Sequence, residues 1–277
     1  MDFDLYCRLI REVSGSVFDI NLSHRGEPLY HPRLPEMVAF AREHGIATRL
    51  HTNATMLTPE VGKELLEAGL DMISFSFDGY DAPAYESIRR GACFEDTLWN
   101  ILRFLRDKKA HKTTLPYSIL QVIEHEAAGQ DAPRAFKSAF ANLPLDKFYV
   151  KQPHNWAGNV EGDLEVSLGA PTGACTFPWY SLTILFTGEV VPCPQDWYGE
   201  IALGDLNNST LTEIWTGEPI RELRQRHADL DIQGLTPCDN CDRIRRPLTL
   251  GIPTENLRNF AGEILGGYKW LGRLIAK

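Results

Sequence analysis

The sequence predicts an α/β protein in which a parallel sheet of β-α units is followed by a small cysteine-bearing module. Two observations predict this organisation. Short runs of β-branched and aromatic residues alternate with longer helical patterns over residues 1–150, which is typical of repeated β-α units. Four of the six cysteines then lie beyond a stretch rich in glycine and proline at residues 158–173, where the periodicity is lost and a domain boundary is expected.

The first unit opens with a helical pattern over residues 1–15, and five predicted strands follow it. They are expected at residues 17–22, 46–51, 72–77, 115–123 and 147–151. Thr58 before Pro59 predicts a capped helix start, and Asp81 is expected to cap the helix that carries residues 85–89. Because a helix precedes the first strand, we expect that a further strand has been lost in front of it. Residues 17–22 would then form an unpaired sheet edge.

Four segments follow from these patterns. We expect a sheet domain at residues 1–157, a linker at 158–174, the cysteine module at 175–246 and a C-terminal amphipathic helix at 247–277. Within the module, Thr210 and Glu213 are three residues apart, which predicts a capping box. The tail carries basic residues on one face, so a membrane-surface anchor is one interpretation. The acidic chain and the Gly266-Gly267 pair favour a helix that packs on the protein instead.

Composition restricts the class of protein. A chain of 277 residues with 43% hydrophobic residues can bury an ordinary core. Its net charge of -9 argues against non-specific binding to nucleic acid or to an anionic membrane. No apolar run approaches the roughly 20 residues that span a bilayer, and no signal peptide is visible. We therefore predict a cytoplasmic protein, in which clustered cysteines bind metal more often than they form disulfides.

The four C-terminal cysteines are spaced as a ligand set. Cys175 and Cys193 are 18 residues apart, and a gap of 44 residues separates Cys193 from the C-x2-C pair of Cys238 and Cys241. Four thiolates are a complete set for a [4Fe-4S] cluster and equally for zinc. Zinc ribbons usually pair two such knuckles, whereas this chain has one. The residues by themselves leave iron-sulfur and zinc open.

A second set of polar residues follows the predicted strands. The run Arg25-Gly26-Glu27-Pro28-Leu29 comes directly after the first strand, where a β-α loop faces the active-site mouth of a barrel. Taken alone, this run is a turn with an exposed acid. Further motifs occur at later β-α junctions, namely His31-Pro32, Thr52-Asn53, Ser76-x-Asp78-Gly79 and Ile88-Arg89.

Together these motifs resemble the core of radical S-adenosylmethionine (SAM) enzymes from its second strand onward. The stretch from Cys175 to Cys241, which reads C-x12-G-x4-C and then C-x2-C, resembles the SPASM and twitch domains that hold auxiliary [4Fe-4S] clusters in that family. Because no cysteine follows Cys241, the similarity is to the shorter, single-cluster twitch type. The implied fold is a partial (β/α)6 TIM-like barrel lacking its first strand, followed by a small α+β iron-sulfur domain.

The resemblance implies roles for individual residues. Glu27 is similar to the acid that binds the amino group of SAM, with Gly26 allowing close backbone approach and Pro28 completing the motif. Ser76 is similar to a contact of the SAM ribose. The other candidates on this rim are Asn53 and Asp78. Gln121 and His154 are weaker candidates, with an alternative interpretation as side chains that satisfy backbone groups. Asp78 also has an alternative interpretation as a turn or helix-capping residue. The four C-terminal cysteines are implied to ligate the auxiliary cluster fully, so that it carries an electron.

The resemblance also implies a cysteine motif that this sequence lacks. The catalytic [4Fe-4S] cluster of this family needs a C-x3-C-x2-C loop, and the 277 residues contain none. Cys7 and Cys93 are too far apart to replace it, and we interpret them as small buried or half-buried residues. We therefore expect a truncated oxidoreductase, inactive as given. Its full-length form would generate a 5'-deoxyadenosyl radical and abstract hydrogen from a small-molecule or peptide substrate, with ferredoxin or flavodoxin as electron donor.

The alternative is a genuine non-catalytic protein. Its four-cysteine site, filled by an iron-sulfur cluster or by zinc, would serve as an electron relay or support the binding of a partner or ligand.

Overall fold

The protein is described from a computed structural model, which covers residues 1–123, 132–151, 157, 170–249 and 252–254. Residues 255–277 of the predicted amphipathic helix, most of the predicted linker and His154 lie outside these residues. The start of that predicted helix is wrong, because Leu248–Thr249 and Ile252–Pro253 are short antiparallel strands. The chain divides into two compact units. We call Tyr6–Pro153 the sheet unit, and we call His154–Lys277, together with Met1–Leu5, the cysteine unit.

The sheet unit is built on five parallel strands in the order β1-β2-β3-β4-β5. The strands are Asp19–Asn21 (β1), Ala47–Thr52 (β2), Met72–Ser76 (β3), Tyr117–Ile123 (β4) and Lys147–Lys151 (β5). The helices are Phe3–Val13 (α1), Leu34–Glu43 (α2), Pro59–Ala68 (α3), Ala82–Ile88 (α4), Phe94–Ala110 (α5) and Ala132–Ser138 (α6). Each predicted strand is present, and the sequential parallel order with helices between strands is the α/β arrangement of a partial TIM-like barrel.

The core lies on one face of this sheet because strand side chains alternate between the two faces. In β3, Ile73 and Phe75 are fully buried in the hydrophobic cluster shared with the helices. The ring of Phe75 meets Phe104 of α5 edge to face, with 5.7 Å between the ring centroids. Ser74 and Ser76 of the same strand lie on the opposite face. The sheet therefore offers an apolar face to the helices and a polar face on its other side.

Both predicted helix starts in the sheet unit are confirmed. The Thr58 hydroxyl accepts a hydrogen bond from the Val61 amide at 3.3 Å, and the Asp81 carboxylate accepts one from the Ala84 amide at 2.9 Å. Each cap satisfies an amide that the first helical turn would otherwise leave unpaired. These caps fix where α3 and α4 begin, directly after the carboxyl ends of β2 and β3.

The cysteine unit combines a small antiparallel sheet with short helices. Its elements are Phe177–Tyr180 (α7), Thr183–Ile184 (β6), Glu189–Val191 (β7), Gly204–Asp205 (β8), Leu211–Thr216 (α8), Glu218–Ala228 (α9), Leu248–Thr249 (β9) and Ile252–Pro253 (β10), with 3-10 turns at Cys238–Asn240 and Asp242–Arg245. Strand β7 pairs antiparallel with β6 and β8. Gly188 makes the turn before β7 at φ 104, where a Cβ would lie 2.6 Å from the side chain of Asn207. This is the glycine that precedes the second cysteine ligand in the C-x12-G-x4-C pattern.

The predicted capping box at α8 is confirmed. The Thr210 hydroxyl accepts from the Glu213 amide at 3.2 Å, and the Glu213 carboxylate accepts from the Thr210 amide at 2.8 Å.

In the part of the chain that the structure describes, no helix has the length and apolar character needed to cross a membrane.

Candidate SAM rim and four-cysteine centre

Glu27 ties the loop after β1 to the carboxyl end of β2. Its Oε1 accepts hydrogen bonds from the Leu29 amide at 3.1 Å and from the Thr52 hydroxyl at 2.6 Å, and its Oε2 accepts from the Asn53 amide at 2.8 Å. A carboxylate has about four acceptor positions. Three donors from the chain leave room for one more, such as an ammonium group.

The residues beside Glu27 shape this loop. Pro28 opens a one-turn 3-10 helix, Pro28–Tyr30, that Glu27 caps. Gly26 has φ +79, a conformation that side chains rarely adopt, and a Cβ there would meet no atom within 4 Å. The structure therefore shows a conformational need for glycine at this position. Close approach to a ligand, the reason that the resemblance implied, stays a prediction.

Four polar side chains form a row along the carboxyl edge of the sheet. Ser76 of β3 lies opposite Gln121 of β4, and Gln121 lies opposite Tyr149 of β5. Thr52 of β2 pairs with Phe75 of β3. The residues that follow them, Asn53 and Ser76, are therefore at equivalent positions, and Asn53 extends the row to β2. Adjacent strands are about 4.8 Å apart, so the row spans roughly 15 Å. It brings together three predicted candidates, Asn53, Ser76 and Gln121.

Asp78 is committed to an ion pair. It is 4% exposed, and its Oδ2 accepts from Arg89 Nε at 2.8 Å and contacts the same guanidinium at 2.5 Å. The helix cap at this junction is provided by Asp81, as predicted, and not by Asp78. Asp78 and Arg89 belong to two different motifs of the sequence, Ser76-x-Asp78-Gly79 and Ile88-Arg89. Their ion pair joins these two motifs in the folded protein. The role of Asp78 toward a cofactor stays a prediction.

The sequence argument missed two residues of this rim. The Thr52 hydroxyl donates to Glu27 and accepts from the Ala54 amide at 2.9 Å, so it joins the loop to a buried turn in which Ala54 has φ 60. Tyr149 extends the polar row by one strand. The position of Thr52 next to Asn53 was a signal for the first. For Tyr149 only the register of β5 against β4 reveals its place.

The four cysteine thiols of the cysteine unit share one buried environment. Burial raises the pKa of Cys193 and of Cys241 to about 11, and it also raises the pKa of Cys175 and of Cys238. The pKa of Cys238 is raised further by each of the other three thiols. These four thiols are shielded from solvent and close enough to oppose one another's ionisation. They become thiolate ligands only when a bound cation offsets their negative charge.

The ligand chemistry of these sulfurs leaves zinc and an iron-sulfur cluster open, because four thiolates are a complete ligand set for either. A separate group lies on the sheet unit. Among the described residues, the ligand atoms of Glu86, Cys93 and Glu95 all lie within 4.8 Å of one another.

Backbone amides already point at the thiols. The Phe177 amide donates to Cys175, the Gln195 and Asp196 amides donate to Cys193, and the Arg243 amide donates to Cys241; each of these bonds lowers the pKa of its thiol. Amide hydrogen bonds to ligand sulfurs stabilise the thiolate form and tune the potential of iron-sulfur clusters. The donor set and its surroundings therefore fit an iron-sulfur cluster.

Two family models match this chain. The radical SAM superfamily matches residues 8–119, and SPASM, an iron-sulfur cluster-binding domain, matches residues 175–242. Together they cover more than half of the chain. The first includes Glu27, Asn53 and Ser76 of the rim, and the second includes all four C-terminal cysteines.

Curated relatives agree with these matches. A tungsten-containing aldehyde ferredoxin oxidoreductase cofactor-modifying protein of Pyrococcus furiosus is 38% identical over 28% of this chain and 22% of its own length. An AdoMet-dependent heme synthase of Methanosarcina barkeri is 36% identical over 33% of this chain and 27% of its own. The chain thus spans about a quarter of these two relatives. PqqA peptide cyclase of Granulibacter bethesdensis is 28% identical over 79% of this chain and 65% of its own length.

Solved structures share the fold. BtrN in complex with AdoMet and 2-DOIA superposes with a TM-score of 0.56 at 17% identity, covering 92% of this chain and 83% of that one. SuiB of Streptococcus suis, bound to precursor peptide SuiA, gives a TM-score of 0.62 at 12% identity, covering 80% of this chain and 59% of that one. The chain therefore belongs to the radical SAM superfamily and carries the iron-sulfur cluster-binding SPASM domain found in part of it.

Proposed function

We propose that the protein is a radical SAM oxidoreductase that binds SAM at the carboxyl edge of its sheet and one [4Fe-4S] cluster at its four C-terminal cysteines. The observation that carries the proposal is the rim itself. Glu27 is fixed by three hydrogen bonds beside a row of polar side chains, at the edge where parallel α/β sheets bind their ligands.

Each rim residue has a role in this proposal. Glu27 accepts a hydrogen bond from the SAM ammonium group at its remaining acceptor position. Ser76 donates to the ribose, and Asn53 and Gln121 hold polar groups of the cofactor on either side of it. When bound to its catalytic cluster, SAM supplies the 5'-deoxyadenosyl radical that abstracts hydrogen from substrate. The role of the four-cysteine centre is to hold a fully ligated cluster that carries an electron.

The substrate class is a small molecule or a peptide. The names of the relatives support both: the Pyrococcus protein modifies a cofactor, PqqA peptide cyclase acts on a peptide, and SuiB was solved with its precursor peptide. Polar groups along the rim suit a substrate that forms several hydrogen bonds.

The test compares SAM cleavage in two proteins. The 277 residues contain no C-x3-C-x2-C loop, so we expect them to yield no 5'-deoxyadenosine after reconstitution with iron and sulfide and reduction by dithionite. The same residues joined to an upstream segment that carries this loop are expected to yield it. Ser76→Ala in the joined protein is expected to weaken SAM binding by about tenfold, the effect of roughly one lost hydrogen bond to a bound ligand.

Ser87→Ala is the matched control. Ser87 is an exposed serine of α4 whose hydroxyl donates to the Ala84 carbonyl, so this change should leave SAM binding intact. Absence of 5'-deoxyadenosine from a joined protein that holds both clusters would contradict the proposal.

One observation favours a second function. All four cysteines of the four-cysteine centre lie within the 277 residues, and an electron relay or a binding module could be built around this centre alone. A joined protein that never cleaves SAM, while the 277 residues keep a reducible cluster, would support this alternative.

A further inference from the structure

A buried carboxylate lies beside two of the four cysteine thiols. Asp196 follows Cys193 by three residues, is 0% exposed, and its amide donates to the Cys193 carbonyl at 3.2 Å. Its charge also acts on Cys238, which comes from a different segment of the unit. Within the described residues Asp196 forms no ion pair.

Three backbone amides hold the side chain of Asp196 in place. Its Oδ1 accepts from the amides of Gly199 at 3.0 Å and Glu200 at 2.8 Å, and its Oδ2 accepts from the Ile201 amide at 2.9 Å. Charge-assisted bonds of this kind stabilise a buried negative charge without neutralising it. Since Asp196 is 0% exposed and pairs with no cation of the described chain, its charge reaches the thiols with little screening by solvent.

A guanidinium lies near the other two thiols. Arg243 follows Cys241 by two residues, and its Cζ lies over the ring of Phe177 at 5.3 Å from the centroid. Phe177 in turn follows Cys175 by two residues, so Arg243 joins the Cys175 and Cys241 segments. Its charge acts on both of these thiols. Its buried Nε donates no hydrogen bond to any described residue.

We infer that Asp196 and Arg243 are opposing determinants of the reduction potential of the cluster held by the four cysteines. Asp196 lowers the potential and Arg243 raises it. The inference rests on the proposed function because it requires an iron-sulfur cluster at this centre.

The physical reason is the charge added on reduction. One electron from the reductant makes the cluster and its ligands more negative by one unit, and no bond is formed or broken. A fixed negative charge opposes that addition and a fixed positive charge favours it. Net charge, hydrogen bonds to sulfur and solvent exposure set the potentials of such clusters. Here the buried Asp196 acts on Cys193 and Cys238, and the half-buried Arg243 acts on Cys175 and Cys241.

The experiment is a redox titration with dithionite, followed by the electron paramagnetic resonance of the reduced cluster, on the full chain after anaerobic reconstitution. Asp196→Asn keeps an acceptor for two of the three amides and removes the charge. We expect its midpoint potential to shift to more positive values. Arg243→Gln keeps the amide that donates to Cys241, and we expect a shift to more negative values. Glu222→Gln, an exposed acid of α9, is the matched control and is expected to titrate as the unmodified protein does.

The iron and sulfide content of each protein separates the possible failures. An unmodified chain that binds no cluster would contradict the proposed function, and the inference would fall with it. A chain that holds its cluster, with variant potentials that differ no more than that of Glu222→Gln, would overturn the inference alone. If Asp196→Asn loses the cluster, Arg243→Gln decides, and the absence of a negative shift there overturns the inference.

Discussion

At the scale of the residue, His227 is a histidine whose burial links stability to pH. It lies in the last turn of α9, is 1% exposed, and its Nδ1 is buried without a hydrogen-bond partner among the described residues. Burial, with a smaller effect of the neighbouring Arg226, lowers the pKa of His227 below its ordinary value of 6.5. In the folded protein the ring is therefore neutral at pH values at which the unfolded chain already protonates it.

This difference predicts the direction of the pH dependence. Below pH 6.5 the unfolded state binds the extra proton, so the stability that neutral His227 contributes is present above pH 6.5 and is lost as the pH falls toward its lowered pKa. His227→Gln should give a shallower decline in the free energy of unfolding between about pH 7 and pH 5, measured by urea denaturation. His111→Gln changes an exposed histidine and serves as control. Parallel declines for His227→Gln and the unmodified chain would contradict the prediction.

The rim shows how far single residues can be predicted. Glu27 and Ser76 were predicted from the resemblance to radical SAM enzymes, and Asn53 and Gln121 from their places on the same rim. The structure brings Asn53, Ser76 and Gln121 into one row. The role of the Thr52 hydroxyl was not predicted. It donates to Glu27, 25 residues away, and accepts from the Ala54 amide, 2 residues away, and sequence spacing reveals neither contact.

At the scale of the element, the capping box of α8 predicts a measurable contribution to stability. The helix has six residues, too few to be stable without its cap or its tertiary packing. Thr210→Ala removes the acceptor for the Glu213 amide and should cost about 1 kcal/mol. Thr216→Ala is the matched control, since its hydroxyl only bonds back to the Thr212 carbonyl and its loss should cost less than about 0.5 kcal/mol. Thermal unfolding of both variants checks this, and equal losses would contradict it.

Elements with their own start signals were the most predictable. The caps at Thr58, Asp81 and Thr210 were all identified from sequence, and β5 has its predicted bounds. The first strand is shorter than predicted: it covers Asp19–Asn21 within the expected 17–22. Within the described sheet, the first strand pairs with β2 on one side only. It therefore has fewer interstrand hydrogen bonds to stabilise its ends than a strand with two partners. The residue pattern of a strand does not show how many strands pair with it.

At the scale of the whole molecule, the metal centre required three-dimensional information. Its candidate ligands come from three segments: Cys175 before α7, Cys193 after β7, and the C-x2-C pair in the turn at Cys238–Asn240. Sequence spacing pointed to these four cysteines but left zinc and iron-sulfur open. The match of an iron-sulfur cluster-binding domain to residues 175–242 favours the cluster.

This preference leads to a prediction for the intact chain. Purified without oxygen, it should contain about four irons and four sulfides per molecule and no stoichiometric zinc, measured by elemental analysis and by visible absorption. Cys238→Ser with Cys241→Ser should abolish both iron and sulfide, because the remaining two thiols cannot hold a cubane.

Cys93→Ser is the control that separates the two cysteine environments. The structure corrects the interpretation of Cys93 as a buried or half-buried residue, because its side chain is exposed on the sheet unit. Its thiol lies near Glu86 and Glu95, a set of oxygen and sulfur ligands that suits a single divalent ion better than a cluster. Its loss should leave iron and sulfide unchanged. Stoichiometric zinc that disappears with Cys238 and Cys241 would show that the sulfurs close around one ion, and would make the centre structural. Zinc that disappears only with Cys93 would instead be a surface ion, and the cluster assignment would stand on its iron and sulfide.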